Sequence, residues 1–303
     1  MIRIITKLIN FLKRLNYLSE NIYFIRESLG RIESRQLVNE KIENSGFKAF
    51  SQWNEDGIIQ FLINKIDIKN KIFIEFGVEN YTESNTRFLL TNNNWSGLII
   101  DGDINNINYI KKDPIYWASN LKACHSFINR NNINKIISDN GISGQIGILS
   151  IDIDGVDYWV WEAINTISPD IVICEYNNLF GKNIEVSVPY DENFVRENAH
   201  FSKVYYGASL TALYNLAKIK GYKLVATNSA GNNVFFVKND LMSDLKSLTP
   251  SDVFKESTFR EYHNEKKNLT FDDFKTRLKN VGHLNIYNFK NNKIQKLSEV
   301  LKK

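Results

Sequence analysis

The run Lys71-Ile72-Phe73-Ile74-Glu75-Phe76-Gly77 is apolar at most positions, rich in β-branched and aromatic side chains, and closed by a glycine. Three further runs share this design: Gly97-Leu98-Ile99-Ile100-Asp101, Ile146-Gly147-Ile148-Leu149-Ser150-Ile151-Asp152 and Ile171-Val172-Ile173-Cys174-Glu175. Short, continuous apolar runs are typical of strands that are buried on both faces of a parallel sheet. These four runs therefore predict the central strands of an α/β domain.

The segments between these runs have helical periodicity, among them residues 159–164 and 209–220. Regular alternation of strands and helices predicts a doubly wound, mostly parallel, seven-stranded Rossmann-like sheet. The last two predicted strands, residues 222–227 and 233–238, are separated by a short turn that contains Gly231. We expect them to pair as an antiparallel terminal hairpin.

Composition limits the class of protein. The 303 residues, 43% hydrophobic and 13% aromatic, suffice for one large core. We predict an α/β domain at 46–240, an N-terminal segment at 1–45 and a helical, charged extension at 241–303. The 38 basic and 34 acidic residues are too balanced to indicate nucleic-acid binding. With two cysteines, Cys124 and Cys174, and no apolar run long enough to cross a bilayer, we expect a cytoplasmic protein.

The N-terminal segment carries apolar residues in alternating steps of four and three, the heptad pattern of a coiled-coil helix. This apolar seam consists of Ile4, Leu8, Phe11, Leu15, Leu18, Ile22, Ile25, Leu29 and Ile32. We therefore predict a homo-oligomer that assembles through this helix. Two other interpretations stay open. The first eighteen residues also form a basic amphipathic helix suited to peripheral contact with the inner membrane surface, and the helix could pack on its own domain.

Four acids, Glu75, Asp101, Asp152 and Glu175, stand at the ends of predicted strands. In an open α/β sheet, ligands bind outside the carboxyl ends of the strands, where the loops converge. One acid alone would be read as a helix cap or a solvated loop residue. Four acids at equivalent positions indicate a binding site.

The first two acids suggest a cofactor that contains a nucleoside. Glu75 lies beside Gly77, where a closely approaching backbone has no room for a side chain, and its carboxylate can accept bonds from an amino group. Asp101, or the neighbouring Asp103, can accept the hydroxyls of a ribose. The turn Gly77-Val78-Glu79-Asn80 lacks a triple-glycine phosphate loop, and its acids would repel a dinucleotide. A cofactor with a positive sulfonium fits better.

The chain resembles the FkbM-like methyltransferases in several motifs. They are Ser51-Gln52-Trp53-Asn54-Glu55-Asp56-Gly57, Phe73-Ile74-Glu75-Phe76-Gly77, Gly97-Leu98-Ile99-Ile100-Asp101-Gly102-Asp103, Leu149-Ser150-Ile151-Asp152-Ile153-Asp154-Gly155, Val188-Pro189-Tyr190-Asp191, Tyr206-Gly207-Ala208-Ser209-Leu210 and Gly231-Asn232-Asn233-Val234-Phe235-Phe236-Val237. The resemblance spans roughly residues 47–240 and implies a class I methyltransferase fold that binds S-adenosylmethionine. Because such proteins often belong to bacterial surface-polysaccharide pathways, it also implies a sugar or nucleotide-sugar acceptor.

The predicted cofactor-binding residues combine the strand-end acids with their neighbours. They are Gln52, Glu75, Gly77, Asn80, Asp101, Asp103, His125 and Asp152. The first loop departs from the general pattern of class I methyltransferases, because it has one glycine where several are usual.

A second group of acids follows the third quoted run. Asp152, Asp154 and Asp157 lie within six residues, and like charges this close favour a bound cation. Asp152 and Asp154, together with Glu175, are predicted ligands of Mg²⁺ or Mn²⁺. A metal there would bind an acceptor hydroxyl, and Asp154 or His200 would remove its proton. The alternative is that Asp152 and Asp157 cap the helix that begins near residue 158.

Polar and aromatic residues beyond the strand ends are candidate substrate contacts: Asn177, Tyr190, Asp191 and Tyr206. The favoured interpretation is an S-adenosylmethionine-dependent O-methyltransferase that acts on a sugar or a sugar-linked group. A nucleotide-sugar glycosyltransferase, with Asp152 and Asp154 as an acid-x-acid metal motif, is the rival enzyme class. A non-catalytic coiled-coil scaffold with a ligand-binding α/β body is the rival outside enzymes.

Overall fold

The structure, a computed structural model, describes residues 2–257 and 262–301. The side chains of residues 2–4, 8, 16 and 19 lie outside the described part, and so do the seam side chains predicted at Ile4 and Leu8. The strands are β1 Ile72–Phe76, β2 Ser96–Asp101, β3 Leu121–His125, β4 Gly144–Ile151, β5 Ile167–Glu175, β6 Val186–Ser187, β7 Tyr222–Thr227, β8 Asn233–Lys238, β9 Asn285–Asn288 and β10 Lys293–Lys296.

Seven strands form the central sheet, in the order β3-β2-β1-β4-β5-β8-β7. The first five are parallel, whereas β8 runs antiparallel to both β5 and β7. The predicted fold class, a mostly parallel seven-stranded sheet with an antiparallel terminal hairpin, is therefore confirmed. The order reverses direction between β1 and β4, which opens a crevice at the carboxyl ends of these strands.

The helices cover both faces of this sheet. They are α1 Ile2–Gln36, α2 Glu55–Lys65, α3 Arg87–Asn93, α4 Ile104–Ile110, α5 Pro114–Ala118, α6 Ile133–Asp139, α7 Asp157–Ala163, α8 Arg196–Ala199, α9 Leu210–Ile219, α10 Pro250–Val253, α11 Phe274–Val281 and α12 Leu297–Leu301. One apolar cluster joins one face to α6, α7 and α9. A second cluster joins the opposite face to α2, α3, α4 and α5. The result is the three-layer arrangement that strands buried on both faces require.

Short polar side chains fix where several helices begin. Asp103, Asp113, Ser209 and Asp273 each accept a bond from a backbone amide in the first turn of α4, α5, α9 and α11, respectively. Such caps satisfy amides that have no partner inside the helix and contribute about 1 kcal/mol each. The cap at Asp103 places the start of α4 directly after the carboxyl end of β2.

The C-terminal part corrects the prediction of a helical extension over 241–303. Besides α10, α11 and α12 it contains the hairpin β9–β10, and β9 pairs with β6 to form a three-stranded sheet. Val186, Ile286 and Leu297 are fully buried in a separate apolar cluster beneath this sheet. These strands have four or fewer residues, which is too short for a clear alternation of polar and apolar positions.

The N-terminal helix is a single element of 35 residues. Its second half packs on the α/β body, where the Tyr23 ring lies 5.2 Å from the Phe50 ring and the Arg26 guanidinium donates to the Ala49 carbonyl. Gly30 is buried against Phe88. Among the described residues, no helix has both the length and the apolar character that crossing a membrane requires. Contact with a membrane surface and self-association remain predictions.

Candidate functional site

A cavity of about 350 Å³ opens at the carboxyl ends of β1, β2, β4 and β5. Seven of the predicted site residues line it: Gln52, Glu75, Gly77, Asp101, Asp152, Asp154 and Glu175. The prediction placed four of them, Glu75, Asp101, Asp152 and Glu175, at strand ends, and the sheet brings these acids to one crevice, as the topology of open α/β sheets requires.

Glu75 ends β1 and is 4% exposed. Its carboxylate accepts bonds from the Ser84 hydroxyl at 2.7 Å and the Asn85 amide at 2.9 Å, and also from the amide and hydroxyl of Thr86. Burial raises the pKa of Glu75, and these hydrogen bonds oppose the shift. Glu75 therefore holds the loop 84–86 against β1 as well as lining the cavity, a structural function that the sequence did not indicate.

Gly77 forms the turn after β1 at a φ of +69°. A Cβ atom at this position would lie 1.6 Å from the Asp152 carbonyl oxygen. Both the positive φ and the close approach exclude other residue types. The sequence predicted a close backbone approach at Gly77, and in the structure the approaching group is the loop that follows β4.

Asp101 ends β2 and uses both carboxylate oxygens to shape neighbouring turns. One oxygen accepts from the Glu79 amide at 2.8 Å, and the other accepts from the Asp103 amide at 2.8 Å and the Asn106 side chain at 3.0 Å. A carboxylate has about four acceptor positions, of which these bonds use three, and Asp101 lines the cavity. Asp103 lies outside the cavity lining and caps α4.

Asp152, Asp154 and Glu175 bring carboxylate oxygens within 4.8 Å of one another. Glu175 is 7% exposed; one of its oxygens lies 3.4 Å from the Tyr206 hydroxyl, and the other is buried with no hydrogen-bond partner among the described residues. Asp154 has a φ of +53°, an uncommon conformation for a residue with a side chain. The three acids fit the oxygen-rich ligand set of a hard divalent cation.

Asp157 has a different position from these three acids. It accepts bonds from the amides of Ile153 at 2.9 Å and Gly155 at 3.0 Å, so it fixes the turn that carries Asp154. Its own position is the first residue of α7, and Val156 occupies the cap position. The alternative in which Asp157 caps the helix with its side chain is therefore wrong, because the same side chain folds back on the preceding loop.

Burial and mutual repulsion raise the pKa values of the acids in and beside this cluster. Burial is the main cause that raises the pKa of Glu175 and of Asp152 well above the ordinary range, and the neighbouring carboxylates add to the shift. Burial also raises the pKa of Asp157 to about 6. Groups with strongly shifted pKa values cluster at functional sites because such sites concentrate charge in a low-dielectric cavity.

Arg196, in α8, lines this cavity and was not predicted from the sequence. Its guanidinium forms an ion pair with Asp154 and stacks 4.2 Å above the ring of Tyr206. Tyr206 is 9% exposed and contacts Glu175, so the aromatic ring, the acids and the arginine form one network. Forty-two positions separate Arg196 from Asp154, and no motif connects them in the sequence.

Other predicted residues lie outside the lining of this cavity: Asn80, Asp103, His125, Asn177, Tyr190, Asp191, His200 and Tyr206. Asn177 lines a second, smaller cavity beside it and uses its side chain to bond Val204, Tyr206 and Leu179. The ring of His200 stacks on Phe201.

His200 was one of two predicted bases, and it lies outside the cavity lining. Its Nδ1 atom lies 2.6 Å from the Ser202 hydroxyl, and its ring centroid lies 5.8 Å from that of His283. Burial, with a smaller contribution from His283, lowers the pKa of His200. The histidine is thus part of the contact with the C-terminal region. Asp154 is the predicted base that faces the cavity.

The motif at residues 51–57 forms one wall of the site. Asp56 accepts three backbone amides, at 2.7 Å from Ala49, 2.6 Å from Phe50 and 2.7 Å from Ser51. A second buried acid of the motif, Glu55, accepts bonds from Asn228 at 2.7 Å and Asn233 at 3.0 Å. The motif therefore ties the start of α2 to the β7–β8 turn, and Asn233 lines the cavity.

Comparison with known proteins gives structural matches only. No family model matches the chain, and no curated protein matches it. The N-terminal domain of EvdMO1 with SAH bound matches at 10% identity and a TM-score of 0.42, over 70% of this chain and 96% of that one. An S-adenosylmethionine-dependent methyltransferase from Clostridium acetobutylicum matches at 10% identity and a TM-score of 0.38, over 61% and 90%. The plantazolicin methyltransferase BamL matches at 12% identity and 0.38, over 73% and 99%.

Five parallel strands in the order β3-β2-β1-β4-β5, followed by an antiparallel strand and a closing edge strand, make up the doubly wound, Rossmann-like sheet. The cavity lies where that fold has its crevice, at the reversal of strand order.

Proposed function

We propose that the chain is an S-adenosylmethionine-dependent O-methyltransferase. The observation that carries the proposal is the acidic cavity at the carboxyl ends of β1, β2, β4 and β5, with the glycine turn at Gly77 beside it. A fold hosts many activities, so the proposal depends on the charge and geometry of this site.

The cofactor half of the cavity is formed by the ends of β1 and β2. Asp101 lines the cavity and would accept a ribose hydroxyl there, since its three internal bonds leave about one acceptor position, and Gln52 and Asn85 add polar groups to the lining. Glu75 and Glu79 would repel the phosphates of a dinucleotide but attract a sulfonium and an ammonium group. This charge pattern favours S-adenosylmethionine over a nicotinamide dinucleotide.

The acceptor half is formed by the ends of β4 and β5. We place a divalent cation, Mg²⁺ or Mn²⁺, on Asp152, Asp154 and Glu175, since the buried Glu175 oxygen has no hydrogen-bond partner in the described part of the chain. When bound, such a cation lowers the pKa of a hydroxyl and orients it. Asp154 also faces the cavity, and the carboxylate oxygen that the cation would leave free can receive the proton of that hydroxyl, while Arg196 holds the side chain in place.

Methyl transfer in this site forms an oxygen–carbon bond and breaks the sulfur–carbon bond of the sulfonium, whose sulfur keeps the electron pair. The hydroxyl proton passes to the carboxylate of Asp154. The remaining residues of the cavity position the two reactants, and the aromatic ring of Phe194 closes one side. We take the acceptor to be a sugar of a surface polysaccharide or its nucleotide-linked precursor, as the resemblance to FkbM-like methyltransferases implies.

Calorimetry tests the cofactor. We expect wild-type protein to bind S-adenosylmethionine and S-adenosylhomocysteine with micromolar dissociation constants. Asp101→Asn should weaken both at least tenfold, since it alters the acceptor that faces the cavity. Asp103→Asn is the matched control, because Asp103 belongs to the same turn but lies outside the cavity lining. Wild-type protein that binds neither compound would overturn the proposal.

The metal is tested apart from the cofactor. After chelation, titration with Mg²⁺ should give a binding isotherm that is lost in Glu175→Gln and retained in Asp139→Asn, an exposed acid of α6. Methyl transfer to nucleotide sugars, followed by mass spectrometry with and without Mg²⁺, then tests the acceptor. Tight binding of a nucleotide sugar without any of S-adenosylmethionine would support the glycosyltransferase alternative. Cofactor binding with no turnover on any acceptor would support the scaffold.

A further inference from the structure

The N-terminal helix has two apolar faces, of which the body covers one. On the covered face, Tyr23, Gly30 and Ser34 contact Phe50, Phe88 and Gln60, respectively. These positions follow each other in steps of seven and four, so they form one stripe along the helix. The seam predicted from the sequence lies on a different stripe.

The seam is exposed along its described length. Phe11, Leu15, Leu18, Ile22, Ile25, Leu29 and Ile32 are each 45–57% exposed. The exposure is as great at Ile25, Leu29 and Ile32, beside the body, as it is further towards the N-terminus. Since the body covers the other stripe, none of the residues at 2–257 and 262–301 buries these side chains within one chain.

We infer that the seam associates with the same seam of a second copy of this chain. From Ile4 to Ile32 the apolar residues keep a strict heptad over 29 positions, about 42 Å of helix at 1.5 Å per residue. A surface of this length and period fits another helix with the same period, through knobs-into-holes packing. The chain itself supplies such a helix.

The area is sufficient for a stable pair. Seven half-exposed Leu, Ile and Phe side chains present on the order of 600 Å² per copy, or roughly 1,200 Å² for a pair, which is the lower end of stable interfaces. At about 25 cal/mol per Å², burial of this area is a substantial driving force. Further apolar residues beside the seam, Ile5, Ile9 and Leu12, are also 46–51% exposed and would enlarge the contact.

A membrane surface is the competing occupant. Basic residues without any acid characterise the first 19 positions, with Arg3, Lys7, Lys13 and Arg14, and this pattern suits anionic lipid. However, the seam continues past this basic stretch to Ile32. The second half of the helix also carries acids, Glu20, Glu27 and Glu33. The last turns lie beside the α/β body, so a second helix can reach them more readily than a flat bilayer can.

Sedimentation velocity and light scattering test the inference on the full chain. We expect wild-type protein to be oligomeric at about 20 µM. The double variant Leu18→Glu/Ile25→Glu should be monomeric, with a dissociation constant at least 100-fold higher, because it puts charges at two seam positions that are one heptad apart. Ile219→Glu is the matched control: Ile219 is 82% exposed on α9, away from the seam, and should leave the oligomer intact.

Circular dichroism and cofactor calorimetry show whether the double variant keeps its fold. A monomeric wild-type protein, or an oligomer that survives the double substitution, would overturn the inference. Monomeric wild-type protein that co-sediments with phosphatidylglycerol vesicles would also overturn it and assign the helix to a lipid surface. Since the seam lies away from the cavity, loss of the oligomer with unchanged S-adenosylhomocysteine binding would separate this inference from the proposed function.

Discussion

Gly77 is the single residue on which the shape of the cavity depends most directly. A Cβ atom there would lie 1.6 Å from the Asp152 carbonyl oxygen, at a φ of +69°. We expect Gly77→Ala to lower the free energy of unfolding by about 2–4 kcal/mol, since it adds backbone strain to overpacking. Urea unfolding measures this change, and calorimetry measures the accompanying loss of cofactor binding.

Gly102→Ala is the control for this prediction. Gly102 also lines the cavity, but an added Cβ would come no closer than 3.5 Å to the Phe127 ring. We expect its free energy of unfolding to stay within about 0.5 kcal/mol of wild type. A Gly77→Ala protein as stable as Gly102→Ala would contradict the close contact between the turn after β1 and the loop after β4.

Asp56 gives a pH dependence with a defined sign. Burial raises the pKa of Asp56 to about 6, although the amides of residues 49–51 oppose the shift. In the unfolded chain the pKa is about 3.9, so the folded protein holds this proton more tightly. The stability that this group contributes is therefore full below about pH 4 and is lost as the pH rises through about 6, a change of roughly 3 kcal/mol.

Urea unfolding between pH 4 and pH 7 measures this effect. Asp56→Asn should be less stable at low pH, because an amide replaces an acceptor of several hydrogen bonds, and its stability should fall less steeply between pH 4 and pH 6. Asp67→Asn, at an exposed acid whose side chain is 73% accessible, should keep the slope of the wild-type protein. An Asp56→Asn slope equal to that of wild type would be evidence against a raised pKa.

The sequence predicted which acids lie at the strand ends, but it did not predict their hydrogen-bond partners. Strand-end position predicted that Glu75, Asp101, Asp152 and Glu175 would meet, and they do. Strand-end position could not predict that residues 84–86 donate hydrogen bonds to the Glu75 carboxylate, because the packing of α3 brings that loop to β1. The same limit applies to Arg196, whose contact with Asp154 depends on how the segment between β6 and α9 folds over the cavity.

At the scale of elements, the attachment of α1 depends on one small residue. Gly30 is buried where the helix meets the body, and an added Cβ would lie 2.9 Å from the Phe88 ring and 3.0 Å from the Ala49 methyl group. We expect Gly30→Val to cost about 1–3 kcal/mol through overpacking, partly offset by the removal of a helix-weakening glycine. Thermal and urea unfolding measure the change.

Glu20→Val is the matched control on the same helix, at an exposed position. It introduces the same side chain without a neighbour to displace, so the free energy of unfolding should change by less than about 0.5 kcal/mol. If both valine variants unfolded alike, α1 would not be held against the body at Gly30. Their oligomeric state should remain that of wild type, because neither residue belongs to the seam.

The sequence predicted one of the two hairpins but not the other. The hairpin β7–β8 was predicted because two apolar strands flank a turn with Gly231, and it is confirmed. The hairpin β9–β10 was missed because Lys293–Lys296 is mostly polar and pairs along only one edge. Burial of its partner Asn285–Asn288 depends on β6, almost a hundred residues earlier in the chain, and such long-range pairing leaves little local signal.

On the scale of the whole molecule, the net charge is positive but the cavity is acidic. The chain carries a formal charge of +4, yet the described residues that line the cavity include seven acids and one basic residue, Arg196. The acids are Glu75, Glu79, Glu83, Asp101, Asp152, Asp154 and Glu175. A cleft lined by one sign of charge concentrates ligands of the other sign, so this cavity should discriminate between cofactors by charge.

We therefore expect the affinity for S-adenosylmethionine to depend more steeply on salt than the affinity for S-adenosylhomocysteine, which lacks the sulfonium charge. The two ligands share every other group, so their ratio isolates the attraction between the sulfonium and the cavity. The screening length shortens severalfold between about 50 mM and 500 mM NaCl. Over this range the dissociation constant of S-adenosylmethionine, divided by that of S-adenosylhomocysteine, should rise about threefold. Calorimetry at four salt concentrations gives this ratio, with adenosine as an uncharged reference and NADH as a ligand that the acids should repel. Equal salt dependence for both cofactors would mean that the acids are neutralised in the folded protein, by protons or by a bound cation, and repeating the titration after chelation would distinguish the two.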